Sequence, residues 1–155
     1  MESFYNDDLR DLVYDFFLRF SRFEFALKET DYVRASRFYD TAEVDWEKFL
    51  ARYQDNYSVD ELERELLNNP PKRQVFKNHQ ISWEDFRFNT NDSNLKKLTL
   101  AIRTMRNNLF HGGKFGERSW DNPERVTFVL SRGIHSLNKM TTLNVDLNAH
   151  YNGTY

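Results

Sequence analysis

The stretch SNLKKLTLAIRTMRNNLFHGG, residues 93–113, decides how the chain is read. Within it Leu95, Leu98, Ile102, Met105 and Leu109 recur at alternating spacings of three and four. That spacing lines them up on one face of a helix of about 3.6 residues per turn, the face expected to meet a core. Asp92 or Ser93 can cap its start, and Gly112 or Gly113 supplies the left-handed backbone that closes many helices. At about 100° per residue, Arg106 falls beside the apolar stripe, whereas Asn107 and His111, four apart, share a face pointing away from it. Leu100 lies on that outer side as well. The second face is therefore expected to be covered, with a second copy of the chain as the natural candidate.

Outward from this helix the chain reads as more helices. From about Asn6 to Lys28, the residues Leu9, Leu12, Val13, Phe16, Phe20, Phe23 and Leu27 form a broad stripe, while Tyr14, Phe17, Leu18 and Phe25 fall partly outside it. So much aromatic surface calls for burial on more than one side, as at the centre of a bundle or a dimer. A short helix or bend over Tyr32 to Phe38 leads into a helix expected from Thr41 to Gln54. Ser58 with Glu61 three residues on has the form of a capping box, opening a short helix that Asn68-Asn69-Pro70-Pro71 ends. Residues 72–91 have no convincing period and read as a packed loop with a helical turn near Trp83 to Phe86. Asn122-Pro123-Glu124 combines a cap, a proline at the first helical position and a favourable acid, opening a helix to about Met140 in which Gly133 permits a close helix contact. The polar, asparagine-rich stretch 141–155 is expected either to fray or to wrap the domain. The reading is all-α, an antiparallel bundle of about four main helices plus short ones, with one domain over 1–140 and a tail over 141–155.

Composition narrows the alternatives. A chain of 155 residues can bury a sizeable core as one domain, and its net charge of -2 gives no overall basic field. Locally, residues 95–118 hold Lys96, Lys97, Arg103, Arg106, Lys114 and Arg118 against the single acid Glu117, which is either a basic site or a solvated helix face. The absence of cysteine fits a reducing compartment, and without a signal-peptide layout or a long apolar run the expected location is cytoplasmic, with no membrane partner. His79, His135 and His150 have no metal-ligand spacing, and Asp40, Glu43 and Asp45 look like helix-start charges, so no metal and no cofactor is expected.

The end of the central helix carries the chemistry. Arg106, Asn107, Asn108 and His111 crowd a fixed cation, a polar pair and a titratable imidazole into little more than one turn. These types suit RNA cleavage, because the ribose 2′-hydroxyl is itself a nucleophile and an enzyme need only move protons and stabilise charge. An imidazole does the first near neutrality, and a guanidinium does the second with its planar fork. A histidine in the last turn of a helix also interacts favourably with the carbonyl end by about 0.3–1 kcal/mol whatever the protein does, and Arg106 can serve simply as an anchor.

Arg106 and His111, an arginine, a polar residue, three more residues and a histidine, resemble the motif of the HEPN (higher eukaryotes and prokaryotes nucleotide-binding) superfamily. The stretch Phe20 to Lys28, with Glu24 and Lys28 four apart, resembles the first long helix of its bacterial members. The resemblance implies a helical bundle that dimerises so that two motifs line one cleft. Many members are metal-independent endoribonucleases that leave a cyclic phosphate, acting as toxins or antiviral defence effectors. Others are inactive modules that bind nucleotides, RNA or proteins. By this resemblance His111 is the general base or acid and Arg106 holds the phosphate; from residue type, Asn107 is expected to orient the imidazole or hold a phosphate oxygen and Lys114 to steer the backbone, with Asn108 and Arg103 beside them. Glu24 either supports Arg106 from the neighbouring helix or forms an ordinary surface pair with Lys28. The implied partners are RNA, a second copy of the chain, and an antitoxin or defence-system component. In members paired with nucleotidyltransferase antitoxins a tyrosine two positions after the histidine receives the modification; Gly113 stands there in this chain, a departure from that mode of control.

Overall fold

The heavy aromatic load of the first helix sets the arrangement of all the others. The computed structural model of the chain describes residues 7–110 and 122–155. Helix α1 (Asp7–Glu29) has acids in its first turn and Lys28 in its last, matching the helix dipole, and it buries Leu9, Phe16, Phe20, Phe23, Ala26 and Leu27. Around it lie α4 (Asn94–Phe110), α5 (Pro123–Thr141) and α6 (Val145–Asn152). Phe16 faces Gly133 and Arg19 bonds Asn138, so α1 and α5 run in the same direction. Phe17 meets Phe110 while Glu24 meets Arg106, so α4 runs against α1. The three helices converge at Gly133, where a Cβ would sit 3.0 Å from Met105 Sδ and 3.2 Å from Phe16 Cε2. The close contact expected of this glycine is thus formed, and its cost in helix propensity is offset by the approach it allows.

The all-α expectation needs correction. The described chain is mainly helical, with two small antiparallel sheets between α1 and α4. In the first, β1 (Val33–Ala35) pairs with β2 (Ala42–Val44) where a bend and the start of a helix were expected. Helix α2 (Trp46–Tyr53) begins only after Asp45, whose carboxylate accepts from the Lys48 N–H, so Val44, inside the range expected to be helical, ends a strand. In the second, β3 (Arg73–Lys77) and β4 (Gln80–Glu84) replace the packed loop and helical turn. Their two-residue turn is Asn78-His79, both left-handed at φ 52° and 59°, the geometry that suits the twist of a hairpin. Asn-Gly would have announced it; histidine at the second position hid it.

Two further differences concern helix ends. Helix α3 (Glu61–Asn68) is capped by Asp60, not Ser58, with Asp60 and Glu63 forming the reciprocal box. Of the two expectations for residues 141–155, wrapping is what occurs. Asn144 caps α6, Leu147 and Tyr151 are buried, and Gly153 closes the helix at φ 71°. Arg22 on α1 donates to the His150 and Tyr151 carbonyls, satisfying the C-terminal acceptors of α6. Leu147 is fully buried, so Leu147→Ala is expected to lower unfolding free energy by about 2–5 kcal/mol in urea titration, where a frayed tail would show no loss.

A polar seam joins α3 to α5. Arg132 holds Glu65 at 2.6 Å, His135 holds Asp60 at 2.6 Å, and Lys139 reaches the fully buried Glu63. Glu63 also accepts from the Tyr57 hydroxyl, and burial followed by that bond pushes the Tyr57 phenol far above its usual range. Burial works against ionised Asp60, but hydrogen bonds from the Glu63 N–H and His135, with the charges of His135 and Lys139, outweigh it and hold the carboxyl below the usual range. A depressed carboxyl contributes stability above its unfolded pKa and loses it as pH falls through the folded value. Parent protein is therefore expected to be more stable than Asp60→Asn at neutral pH, with the difference vanishing in acid as Asp60 protonates, measured by urea unfolding from pH 7 to pH 3.

Candidate functional site

Helix α4 brings part of the expected constellation together and divides the rest. Ser93 caps it, accepting from the Lys96 N–H at 3.2 Å. From there the apolar stripe forms as its spacing requires, with Leu95, Leu98, Ile102, Met105 and Leu109 all buried. Arg106 comes off beside the stripe and turns toward α1. Its Nη2 lies 3.7 Å from Glu24 Oε1, and its guanidinium carbon sits 5.4 Å from the Phe20 ring centre and 6.0 Å from that of Phe110. Of the two readings of Glu24, the reach across to Arg106 is what forms; no Glu24–Lys28 ion pair occurs among the described residues.

This setting is a cation held by ring faces and one carboxylate. Phe20 and Glu24 are four apart on α1, so one face of that helix supplies both. The ion pair is longer than a hydrogen bond and about a third exposed on either side. Arg106 Nε is buried with no hydrogen-bond partner among the described residues. That buried nitrogen is closed to an incoming oxyanion; the exposed third of the side chain is what leaves the guanidinium approachable, and the rings fix its position without consuming its donors.

Arg103, one turn earlier, extends the charge. Its guanidinium carbon lies 5.1 Å over the Trp46 ring. Burial, then the charge of Arg106, push its pKa below the usual arginine value, with Glu24 opposing and Arg34 adding to the depression. Among the described residues the two arginines thus share Glu24 as their carboxylate, so positive charge gathers here although the chain's net charge is -2.

Asn107 and Asn108 point elsewhere. Asn108 is 6% exposed and donates from Nδ2 to the Lys72 carbonyl at 2.7 Å, fastening the entry of the β3–β4 hairpin to α4. Asn107 is exposed and lines a cleft of about 310 Å³ with Arg73, Gln74, Phe86, Thr104 and Asn108. Arg106, Glu24 and Arg103 therefore gather on the α1 side, while the two asparagines serve the hairpin side. His111 and Lys114 lie outside the described residues.

The sequence reading missed Phe20, Phe110 and Trp46 as holders of the arginines. The four-residue step from Phe20 to Glu24 was a usable signal for the first; nothing local marked Trp46, which reaches Arg103 only through the fold. Among the described residues no group of three or more histidine or carboxylate side chains is placed to hold a metal ion, and no helix is long and apolar enough to cross a membrane. Comparison with family models, curated proteins and solved structures finds no match to this chain.

The geometry ranks what holds Arg106. A partly exposed pair contributes about 0–1 kcal/mol, whereas Phe20 is a buried core side chain. Glu24→Gln is expected to change unfolding free energy by less than about 1 kcal/mol, and Phe20→Ala to cost about 3–5 kcal/mol, both read from chemical denaturation.

Proposed function

We propose that this chain is a metal-independent, HEPN-like endoribonuclease acting as a homodimer. The observation that carries the reading is the Glu24–Arg106 reach between α1 and α4, which holds a permanent, partly exposed cation five positions before His111. In the reaction the 2′-oxygen attacks the adjacent phosphorus, its proton passes to a base, and the 5′-oxygen leaves with a proton from an acid. The products are a 2′,3′-cyclic phosphate and a 5′-hydroxyl end. His111 serves as base or acid, Arg106 neutralises the charge that grows on the non-bridging oxygens, Asn107 orients the strand from the cleft side, and Lys114 steers the backbone. Glu24 positions Arg106, and Arg103 adds to the attracting field.

The dimer draws support from an apolar patch beside the arginine. Tyr14 and Leu18, 69% and 50% exposed, share a face of α1 with Phe17. Phe17 packs edge-on at 5.3 Å against Phe110, itself 67% exposed and in contact with Arg106. A second copy seated there would bring two arginine sites to one cleft.

A second reading has its own observation. Arg106 already has Glu24 and two ring faces as neighbours, which is also how a purely structural arginine is held. On that reading the chain is a non-catalytic module that binds RNA, a nucleotide or a protein partner. Cleavage of mixed RNA in EDTA separates the two. The nuclease reading expects RNA-only cleavage, cyclic-phosphate ends and a loss of about 10²–10⁴ in rate for His111→Ala. Failure of the purified protein to cut tRNA, mRNA or rRNA, with binding intact in His111→Ala, would replace it with the binding module. The biological role, toxin or defence effector with its partner, is a further part of the same proposal.

A further inference from the structure

The β3–β4 hairpin does more than fill the space between α3 and α4. Three clefts of about 600, 580 and 310 Å³ lie around it, and Phe86 is a lining residue of all three. Lys72 is common to the first two, and Arg73 is common to the first and third. The shared residues make them neighbours, and we read them as one groove that runs from Arg125 on α5 past Phe86 to Asn107 on α4. Volumes of this size fall within the range of about 300–1,000 Å³ that ligand clefts occupy.

The lining has a consistent chemistry. Four cations, Lys72, Arg73, Arg87 and Arg125, stand against two acids, Glu84 and Asp85, in a chain whose net charge is -2. Both acids are weakly engaged by the groove cations. Lys72 is 3.8 Å from Asp85 and Arg73 is 3.6 Å from Glu84, each beyond hydrogen-bond length, while Glu84 is bonded chiefly by Lys77 outside the groove. Arg87 is exposed and has no ion pair among the described residues. Phe86, half-buried and packed 5.0 Å from Phe88, offers a supported ring at the junction of the three clefts. Cations that follow a backbone, interleaved with an aromatic face on which a base can stack, make the arrangement that binds single strands. The paired bases of a duplex are stacked on each other and cannot reach a ring set in a cleft.

The geometry points to this groove as a binding site for single-stranded RNA, with one base stacked on Phe86 and a phosphate held by Arg87 and Arg73, the strand leading toward Asn107. The choice of RNA over other polyanions rests on the nuclease reading above; the groove itself is tested by binding alone. His111→Ala full-length protein is titrated against a fluorescein-labelled, unstructured RNA of twelve nucleotides, and against a duplex of equal length, by fluorescence anisotropy.

The single strand is expected to bind more tightly than the duplex. Phe86→Leu, which keeps apolar volume but removes the ring face, is expected to weaken binding about 5- to 150-fold, and Phe86→Trp to restore it. Arg87→Gln is expected to lower the slope of log affinity against log salt by about 0.7, the signature of one lost phosphate contact. Arg87 is exposed, so that variant remains informative if Phe86 variants fail to fold. Unchanged binding and salt slope in Arg87→Gln, or a duplex bound as tightly as the single strand, would overturn the groove. Cleavage by the parent protein is followed separately. Groove variants that bind weakly when the parent cuts nothing preserve the groove and remove the nuclease, whereas cleavage with groove variants binding normally does the reverse.

Discussion

Burial of α1 on several sides is the constraint from which the remaining structure follows. Phe16 and Phe23 are fully removed from solvent, and Phe20 nearly so, and burying a side chain of this size contributes about 1.5–3 kcal/mol. No single neighbour can cover such a surface. Phe23 is met edge-on by Phe49 of α2 at 6.0 Å, Phe16 by Gly133 of α5, and the other flank by α6. The missing side chain at Gly133 matters because α5 must approach closely enough for Phe16 and Met105 to meet over it. Once α1 and α4 are both fixed to α5, Glu24 and Phe20 face Arg106 without any further adjustment.

A second constraint is polar. Glu63 is a fully buried carboxylate, and such a group is tolerated only when its oxygens are satisfied. Tyr57, Lys139 and the Asp60 N–H do this together, and in doing so they lock α3 against α5. The lock has a consequence at a distance. With α3 fixed, Arg125 can bond the Asn69 and Pro70 carbonyls, and Asn108 can bond that of Lys72, which sets where the second hairpin leaves the helical body. The groove around Phe86 thus depends on a buried ionic cluster that contributes no residue to it.

Helix α4 links the two halves of the functional proposal. One of its faces carries Arg106 toward the aromatic side of α1 and Arg103 toward Trp46 of α2, and the next carries Asn107 into the cleft below the hairpin. A helix places adjacent residues about 100° apart, so one turn can serve a phosphate-holding face and a strand-guiding face at once. Arg106 and Asn107 need not touch for both to act on one strand, and the division gives Asn107 a location that its sequence neighbourhood did not suggest.

What the sequence alone determined was everything governed by short-range periodicity. The 3.6-residue stripes of α1 and α4, the Asn122-Pro123 start of α5, the break at Pro70-Pro71 and the close contact at Gly133 were all legible, because helix faces and caps depend on residues within a turn or two. The reach of Glu24 to Arg106 was legible only as one of two alternatives. What the tertiary structure decided was everything requiring a partner far along the chain. The three-residue strands β1 and β2 are too short to carry a period, the hairpin of β3 and β4 is hidden by its Asn78-His79 turn, and α6 has little amphipathic pattern of its own until α1 supplies Arg22 to close its end. The rings of Phe20 and Trp46 and the groove at Phe86 belong to the same class: each meets residues distant in sequence, and only tertiary packing brings them within reach.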